Sequence, residues 1–270
     1  MGIPAHHAAI LGAVQGLTEF LPISSDGHLA VTEALLGIQQ SNLSLSVTLH
    51  LGTLLATLVF FRAAVKRLLG QIGPLLHALL HDRRSVVHLD LGLVLVASLP
   101  TAAIGLLLRD AVESWTRSPT AVAIGFFGTA AALSSTARLR RGKRDNPSLK
   151  NAFWLGVAQG LAVIPGLSRS GSTIAVALHS GIKPERAFEL SMLISMPAVA
   201  GAILLEAPGA VRDGESVGVL ALGIAVAFAV GLLALRWLRH WVTQGKFSLF
   251  AFWVVPMAMV TLATAGSWPK

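Results

Sequence analysis

The chain contains no cysteine, and few of its residues carry charge. The missing thiols exclude disulfides, cysteine nucleophiles and cysteine metal sites together. Charged residues make up 13% of the 270 residues, about half the usual share for a soluble domain. Hydrophobic residues make up 54%, and the mean hydropathy is +0.70. A lipid bilayer can cover this much apolar surface, whereas a soluble fold cannot bury it, so the composition predicts an integral membrane protein.

Six apolar stretches are long enough, at roughly 18–22 residues, to cross a bilayer as helices. Their predicted limits are 44–61, 89–108, 119–137, 187–206, 217–236 and 247–267. Two further apolar segments, 5–38 and 151–181, are each interrupted midway by Gly, Pro and Ser. Neither half of these segments can span, because a helix of about 10–13 residues rises only about 15–20 Å. Both segments are therefore predicted to be helical hairpins.

Lys and Arg residues orient these segments, because such residues concentrate in cytoplasmic loops. This placement explains the net charge of +8 without a nucleic-acid partner, which we do not expect. Most of the basic residues lie in the connections 62–88, 138–150, 182–186 and 236–246. With its two flanking connections inside, segment 151–181 enters and leaves from the cytoplasm. No Lys or Arg precedes Arg62, which favours entry of segment 5–38 from the outer face.

The two interrupted segments resemble each other at a constant offset of 144 residues. The matching positions are 11–17 with 155–161, Ser24 with Ser168, and Gly27 with Gly171. Each half, 1–137 and 151–270, then holds one hairpin and three spans. Because three crossings bring the chain to the opposite side of the membrane, the second half has the inverted orientation relative to the first. We predict one all-α integral membrane domain over 1–270, with six transmembrane helices and two re-entrant helical hairpins in an inverted-topology repeat.

The interruption of the first segment carries a cluster of polar residues. Gln15 and Glu19 are four residues apart and share one face of a helix. A lone carboxylate in an apolar run is costly, so Glu19 indicates a metal or proton role, or a neutral side chain hydrogen-bonded between helices. The polar residues that follow it are Ser24, Ser25, Asp26 and His28.

The second interruption reads P-G-L-S-R-S-G-S-T over 165–173. A loop of small residues that opens a helix presents backbone N–H groups to an anion. Arg169 suits bidentate phosphate contact and stays charged in an apolar setting. Packing of small residues between helices explains the Gly and Ser but not a buried arginine. Together the two interruptions suit phosphoryl transfer on a lipid-linked phosphate.

Three polar residues within or beside the spans are weaker candidates. His50 lies midway along a predicted span, where it either lines the same cavity or makes a hydrogen bond between helices. Glu189 and Asp90 fall in the predicted first turns of their spans, where the helix dipole alone explains an acidic residue.

At these residues the chain resembles, almost from end to end, the bacterial undecaprenyl pyrophosphate phosphatases of the bacitracin-resistance type. The resemblance rests on Gln15-x-x-x-Glu19 followed by F-L-P-I-S-S-D-G-H at 20–28, and on the motif at 165–173. It implies hydrolysis of undecaprenyl pyrophosphate to undecaprenyl phosphate and inorganic phosphate, which recycles the lipid carrier for cell-wall synthesis. It also implies a bacterial inner-membrane location, a site open to the periplasmic side, and a divalent cation, Mg²⁺ or alternatively Ca²⁺. The resemblance does not decide the oligomeric state, and a homodimer is one alternative.

By motif, the resemblance implies a role for each polar residue. Glu19 and Gln15 form the metal site, and Gln15 stands where many members have Glu. Asp26 departs from the family pattern, since Ser or Thr is common there, and we hypothesise that it replaces the lost carboxylate as a further ligand. Ser25 and His28 are nucleophile and base, in an order that the sequence leaves open. The implied catalytic residues are Glu19, Ser25, His28 and Arg169. The implied substrate-binding residues are Gln15, Ser24, Asp26, Gly166, Ser168, Ser170 and Thr173.

Two other classes of protein fit parts of the pattern. A lipid-phosphate flippase or transporter without hydrolytic activity suits the inverted repeat, but it does not need a Ser, a His and a Glu beside an anion cradle. The acid-phosphatase superfamily of membrane lipid phosphatases shares the Gly-His and Ser-Arg pieces. That superfamily also requires His-x-x-x-Asp after the Ser-Arg, and here Lys183 stands four residues after His179.

Overall fold

A computed structural model describes residues 3–38, 43–81, 86, 89–210 and 216–268 of the chain. Within these residues the chain forms helices and no strand. In chain order the α-helices are α1 Ala5–Thr18, α2 Ser25–Leu35, α3 Leu43–Phe60, α4 Arg62–Gly70, α5 Ile72–His81, α6 Asp90–Thr116, α7 Pro119–Ser135, α8 Leu149–Leu161, α9 Arg169–His179, α10 Pro184–Ala210, α11 Val217–Thr243 and α12 Ala251–Ala263. Short 3-10 helices lie at Phe247–Phe250 and Ala265–Ser267. The all-α class is confirmed.

Each of the six predicted spans is occupied by a helix. Four helices of the described chain, α3, α6, α10 and α11, are long and apolar enough to cross a membrane by length and composition. Two more, α7 with 17 residues and α12 with 13, are apolar but shorter. α10 begins three residues before its predicted start, since Pro184 suits the first turn of a helix, where its missing N–H has no partner to lose.

Both interrupted segments fold as two helices joined by a break, as predicted. We call 19–26 the first tip and 162–170 the second tip. A serine caps the helix that follows each break: the N–H of Gly27 donates to Ser24 Oγ at 3.4 Å, and that of Gly171 donates to Ser168 Oγ at 3.1 Å. Each bond satisfies an N–H group that the helix start leaves free.

The first helix of each hairpin packs along a span of the other half, α1 against α11 and α8 against α6. Glycine permits this close approach. A Cβ on Gly16 would lie 2.6 Å from the Ala227 carbonyl oxygen, and one on Gly156 would lie 2.1 Å from that of Ala97. Small residues at such contacts let helix backbones approach closely, which is how helices associate in lipid.

The connections around the second hairpin meet at one end of the bundle, which we call the basic end. Arg144 forms an isolated parallel bridge with Ile182, and Lys183 Nζ lies 2.5 Å from an Asp145 carboxylate oxygen. Segment 151–181 therefore begins and ends at the same end of the bundle, as a re-entrant hairpin requires.

The connection 62–88 was predicted only as a basic loop, but it contains the helices α4 and α5. Arg67 on α4 pairs with Asp90 at 3.2 Å and with Glu189, and both acids also pair with Arg186. Asp90 does lie in the first turn of α6, but Glu189 is the sixth residue of α10, beyond the first turn where a dipole would explain it. They join α4, α6 and α10 at the basic end, a contact between distant segments that local sequence does not indicate.

Helix α7 supports both tips. The Phe126 ring is fully buried, and a Cβ on Gly27 would lie 2.5 Å from its edge. Thr129 Oγ1 donates to the Gly166 carbonyl at 2.8 Å and accepts the Ser168 N–H at 2.7 Å. A Cβ on Gly125 would lie 2.0 Å from the Pro165 carbonyl oxygen. The backbones of α7 and the second tip are therefore in direct contact.

This contact predicts that Gly125→Ala destabilises the protein, because the added methyl group meets backbone that cannot move aside. We expect a loss of about 1–3 kcal/mol, the usual cost of overpacking. Gly201→Ala is the matched control, since nothing lies within 4 Å of a Cβ at that position of α10. Thermal unfolding in detergent measures both variants. Equal melting temperatures would contradict the close contact.

Candidate active site

A cavity of about 170 Å³ lies between the two tips. Its polar wall comes from both halves of the chain: Thr18, Glu19, Ser24, Ser25, Asp26, His50 and Thr101 from the first half, and Gln159, Ser168 and Arg169 from the second. Small apolar residues of the second tip and α10 complete the wall. The volume equals about six water molecules at about 30 Å³ each, which suits a phosphate-sized group but not an isoprenoid chain.

An ion pair joins the two tips. The Arg169 guanidinium Nη2 donates to Glu19 Oε1 across 150 positions of sequence. The side chains are 18% and 6% exposed, so each charge is largely removed from water. Removing one partner of such a pair leaves an uncompensated buried charge and is strongly destabilising. The pair therefore holds the tips together as well as placing two functional groups side by side.

The other oxygen of the same carboxylate receives the hydroxyl of Ser25. Ser25 Oγ donates to Glu19 Oε2 at 2.7 Å, and Gln15 Nε2 donates to the same oxygen at 3.1 Å. A hydroxyl that donates to a carboxylate within this distance is arranged as a nucleophile with its proton acceptor. Glu19 thus contacts the arginine, the serine and the glutamine that were predicted to share the site.

The backbone before Ser25 is strained. Ser24 has φ 70° and ψ 109°, in a region that residues other than glycine rarely adopt. Such a conformation costs of order 1–3 kcal/mol and persists only where the surroundings impose it. Its counterpart Ser168 has φ −71° and no such strain. Ser24 is the one non-glycine residue with a positive φ in the described chain, and it directly precedes the serine whose hydroxyl donates to Glu19.

Four buried polar atoms have no hydrogen-bond partner within the described part of the chain, and three of them belong to residues at or beside the cavity: Arg169 Nη1, Gln15 Oε1 and Gln159 Oε1. The fourth is Trp268 Nε1. An unpaired buried donor or acceptor costs about 1–3 kcal/mol. Arg169 lines the cavity, but Nη1 itself is sealed, so this donor can reach an anionic ligand only if the guanidinium turns. Gln15 Oε1 is an acceptor beside the Glu19 carboxylate.

The structure places His28 away from the cavity wall. Its Nδ1 lies 2.7 Å from the Ser24 carbonyl oxygen, and its Nε2 accepts the indole N–H of Trp253 at 3.0 Å. The Phe126 ring meets it edge-on, with centroids 5.3 Å apart. Both ring nitrogens are occupied, and in this arrangement His28 links α2 to α7 and α12.

Three other predicted phosphate-binding residues also lie behind the wall. Thr173 Oγ1 bonds the Arg169 carbonyl at 2.8 Å and Ser191 Oγ at 2.6 Å, while Ser170 Oγ lies 3.3 Å from Ser168 Oγ. Gly166, with φ 86°, forms the turn of the second tip against α7. These residues hold α9 and its N-terminus in position, whereas Ser24, Asp26 and Ser168 do line the cavity.

Three polar wall residues were absent from the predicted site: Thr18, Thr101 and Gln159. Gln159 Nε2 donates to the Ile194 carbonyl at 3.0 Å and to Thr101 Oγ1 at 3.3 Å. Gln159 carried a signal, since it matches Gln15 in the internal similarity. Thr101 carried none, because a single threonine within an apolar span is common.

Known proteins resemble this chain over nearly its whole length. The sequence model of the bacitracin resistance protein family BacA matches residues 8–260. The chain belongs to this family. Among its relatives, a protein of Desulforapulum autotrophicum named undecaprenyl-diphosphatase is 39% identical, over 94% of this chain and 97% of its own length. Proteins of the same name in Rhodopirellula baltica and Treponema denticola are 36% and 37% identical, covering 94% and 93% of this chain and 95% and 94% of their own.

In this BacA member the ion pair predicts a non-additive effect on stability. Arg169→Gln leaves the Glu19 carboxylate buried and unpaired, so we expect the free energy of unfolding to fall by about 3–5 kcal/mol. Adding Glu19→Gln removes the remaining charge and should restore much of that loss. Arg236→Gln, at an exposed position of α11, is the matched control. Thermal unfolding compares all four proteins. A double variant no more stable than Arg169→Gln would argue against the pair.

Proposed function

We propose that this protein is an undecaprenyl-diphosphatase, which hydrolyses undecaprenyl pyrophosphate to undecaprenyl phosphate and inorganic phosphate and so recycles the lipid carrier of cell-wall synthesis. Family membership and the names of the relatives support this function. The observation that carries it is the Glu19 carboxylate, which holds the Ser25 hydroxyl on one oxygen and the Arg169 guanidinium on the other. A lipid flippase would not need a hydroxyl aligned on a proton acceptor.

Substrate binding would exchange the partner of Arg169. The terminal phosphate brings more negative charge than a carboxylate, and Arg169 has a buried donor, Nη1, that is unpaired in the described chain. As the guanidinium turns to the phosphate, Glu19 loses its counter-charge and becomes the stronger proton acceptor. The site thus becomes reactive when the phosphate arrives.

In the reaction that follows, Ser25 Oγ attacks the terminal phosphorus and gives its proton to Glu19. The bond from that phosphorus to the bridging oxygen breaks, and undecaprenyl phosphate leaves with the bonding electrons. A phosphoserine remains, which water hydrolyses to inorganic phosphate. Ser25 recovers its proton from Glu19, so the carboxylate is regenerated. We assign proton acceptance to Glu19 rather than His28, since Ser25 donates to Glu19 and both His28 nitrogens are engaged.

The residues at the first tip fit a divalent cation. Within the described chain no group of three His, Asp or Glu side chains is preformed for a metal. The carboxylates of Glu19 and Asp26 and the unpartnered Gln15 Oε1 are nevertheless hard oxygen donors. Mg²⁺ commonly uses one or two carboxylates together with substrate phosphates. Asp26 and Gln15 would hold the ion, and it would neutralise phosphate charge. Glu19, the third predicted ligand, is left to accept the Ser25 proton.

The fold and charge pattern support an inverted repeat in a bacterial inner membrane. The reciprocal packing of α1 with α11 and of α8 with α6, and the serine caps at matching positions, are what two-fold related halves, 1–137 and 151–270, would produce. The basic end would face the cytoplasm. The first hairpin would then enter from the periplasmic side, where the head group of the substrate would reach the site.

The reaction scheme predicts a phosphoserine at Ser25. Purified wild-type protein, rapidly quenched with substrate labelled in the terminal phosphate, should carry an acid-stable and alkali-labile label. Ser25→Ala should lose the label and at least about 1000-fold in kcat, because a nucleophile and its proton acceptor act as a unit. An acid-labile label would instead place the phosphate on a histidine and reject Ser25 as the nucleophile. No release of inorganic phosphate by the wild type, with lipid transport retained, would favour the flippase.

The orientation predicts which positions are reached from outside the cell. The chain has no cysteine, so Lys143→Cys in a basic connection and Ser216→Cys at the start of α11 can each be labelled alone. A membrane-impermeant maleimide should label position 216 on intact cells and position 143 only after permeabilisation. Both residues are exposed, so accessibility within the fold does not separate them. The reverse pattern would invert the orientation.

A further inference from the structure

We propose that His50 is a catalytic residue that takes the proton of the water hydrolysing the phosphoserine; this rests on the proposed function above. His50 lies on α3, in the first half of the chain, and its side chain lines the cavity together with Glu19 and Ser25. It belongs to neither sequence motif. The geometry that points to this role is the state of its two ring nitrogens.

One nitrogen of His50 is fixed by its own helix. Nδ1 lies 2.9 Å from the Ser46 carbonyl oxygen. A carbonyl oxygen only accepts hydrogen bonds, so Nδ1 carries the hydrogen and the neutral ring keeps a lone pair on Nε2. No described residue makes a hydrogen bond to Nε2. The fully buried polar atoms without a partner in the described chain do not include Nε2, so this atom is not sealed inside the protein. The cavity wall thus presents an imidazole with a free proton-accepting nitrogen.

His28 differs from His50 at this second nitrogen. Both rings place Nδ1 against the carbonyl four residues earlier, Ser24 for His28 and Ser46 for His50, so both have the same tautomer. The Nε2 of His28 is taken by the indole N–H of Trp253, and His28 does not line the cavity. Of these two imidazoles, His50 is the one that can receive a proton at the reacting phosphate.

The proton balance of the reaction requires a second acceptor. A pyrophosphate monoester trianion and one water give two phosphate dianions and one proton. Glu19 takes the Ser25 proton in the first step and returns it to the Ser25 oxygen in the second, as the bond from that oxygen to phosphorus breaks. Attack of the water oxygen on phosphorus releases the net proton, which needs another base. His50 Nε2 takes it.

The other charged groups on the wall are Glu19, Asp26 and Arg169. Glu19 already carries a proton at this stage, and Arg169 does not deprotonate. Asp26 would serve as a ligand of the divalent cation proposed above. His50 makes no hydrogen bond to any of the three within the described chain, so its lone pair is not committed elsewhere. A nearby carboxylate would stabilise the imidazolium that forms.

His50→Gln and His50→Leu test this step, since neither side chain takes up a proton. Gln keeps hydrogen-bonding capacity and Leu keeps bulk, so a purely structural role would be rescued by at least one of them. His240→Leu, at an exposed position of α11, is the matched control. Purified proteins receive substrate labelled in the terminal phosphate, and lipid phosphate, inorganic phosphate and labelled protein are followed in rapid-quench experiments.

The proposal predicts a selective block of the second step. Both His50 variants should release lipid phosphate in a burst of about one per site and accumulate acid-stable labelled Ser25. Steady-state release of inorganic phosphate should fall about 100-fold, a usual size for general base catalysis. With His50→Ala, added imidazole should restore phosphate release and discharge the label, because the vacated space admits the missing base.

Three results would overturn the role of His50: turnover within about threefold of the wild type in both variants, slow turnover without labelled protein, or accumulation of the label in Asp26→Asn instead. Each leaves phosphate release by the wild type intact and therefore leaves the proposed function standing. Failure of the wild type to release phosphate would instead reject the proposed function itself. Thermal unfolding of each variant checks that it remains folded.

Discussion

The ion pair between Glu19 and Arg169 is the interaction on which the rest of the site depends. Neither charge is tolerated alone in an apolar setting, so each tip requires the other. Helix α7 supports the contact between the two tips, because Thr129 makes hydrogen bonds to the second tip and the Phe126 ring fills the space beside the first. The pair also controls reactivity in the proposed scheme, since an arriving phosphate can pair with Arg169 and leave the Glu19 carboxylate free to accept a proton.

The two tips are related by sequence but carry different chemistry. At the offset of 144 residues, Arg169 stands where the first tip has Ser25, and Val163 stands where it has Glu19. Both tips keep the serine cap that starts the following helix. The shared positions thus form the turns. The differing positions supply the hydroxyl and the carboxylate from the first tip and the guanidinium from the second. One carboxylate and one guanidinium neutralise each other, whereas two identical tips would repel.

The sequence predicted the features that depend on local pattern. Long apolar runs predict the span positions, and Gly, Pro and Ser within such runs predict the tips. Glu19, Ser25 and Arg169 are candidates because they lie at these tips. The donor that holds His28, Trp253, lies 225 positions away and is an ordinary aromatic of a span. The pairing of Ser25 with Glu19 rather than His28 follows a positive φ at Ser24, a conformation that serine rarely adopts and that the sequence does not indicate.

The most direct test of this account is a structure with a non-hydrolysable pyrophosphate lipid bound. The account predicts that Arg169 leaves Glu19 for the terminal phosphate, while Ser25 Oγ stays on the carboxylate and lies about 3–3.5 Å from the terminal phosphorus. The isoprenoid chain should run outward from the cavity into lipid. A phosphate bound elsewhere with the ion pair intact, or one placed on His28, would contradict the central role of the Glu19–Arg169 pair.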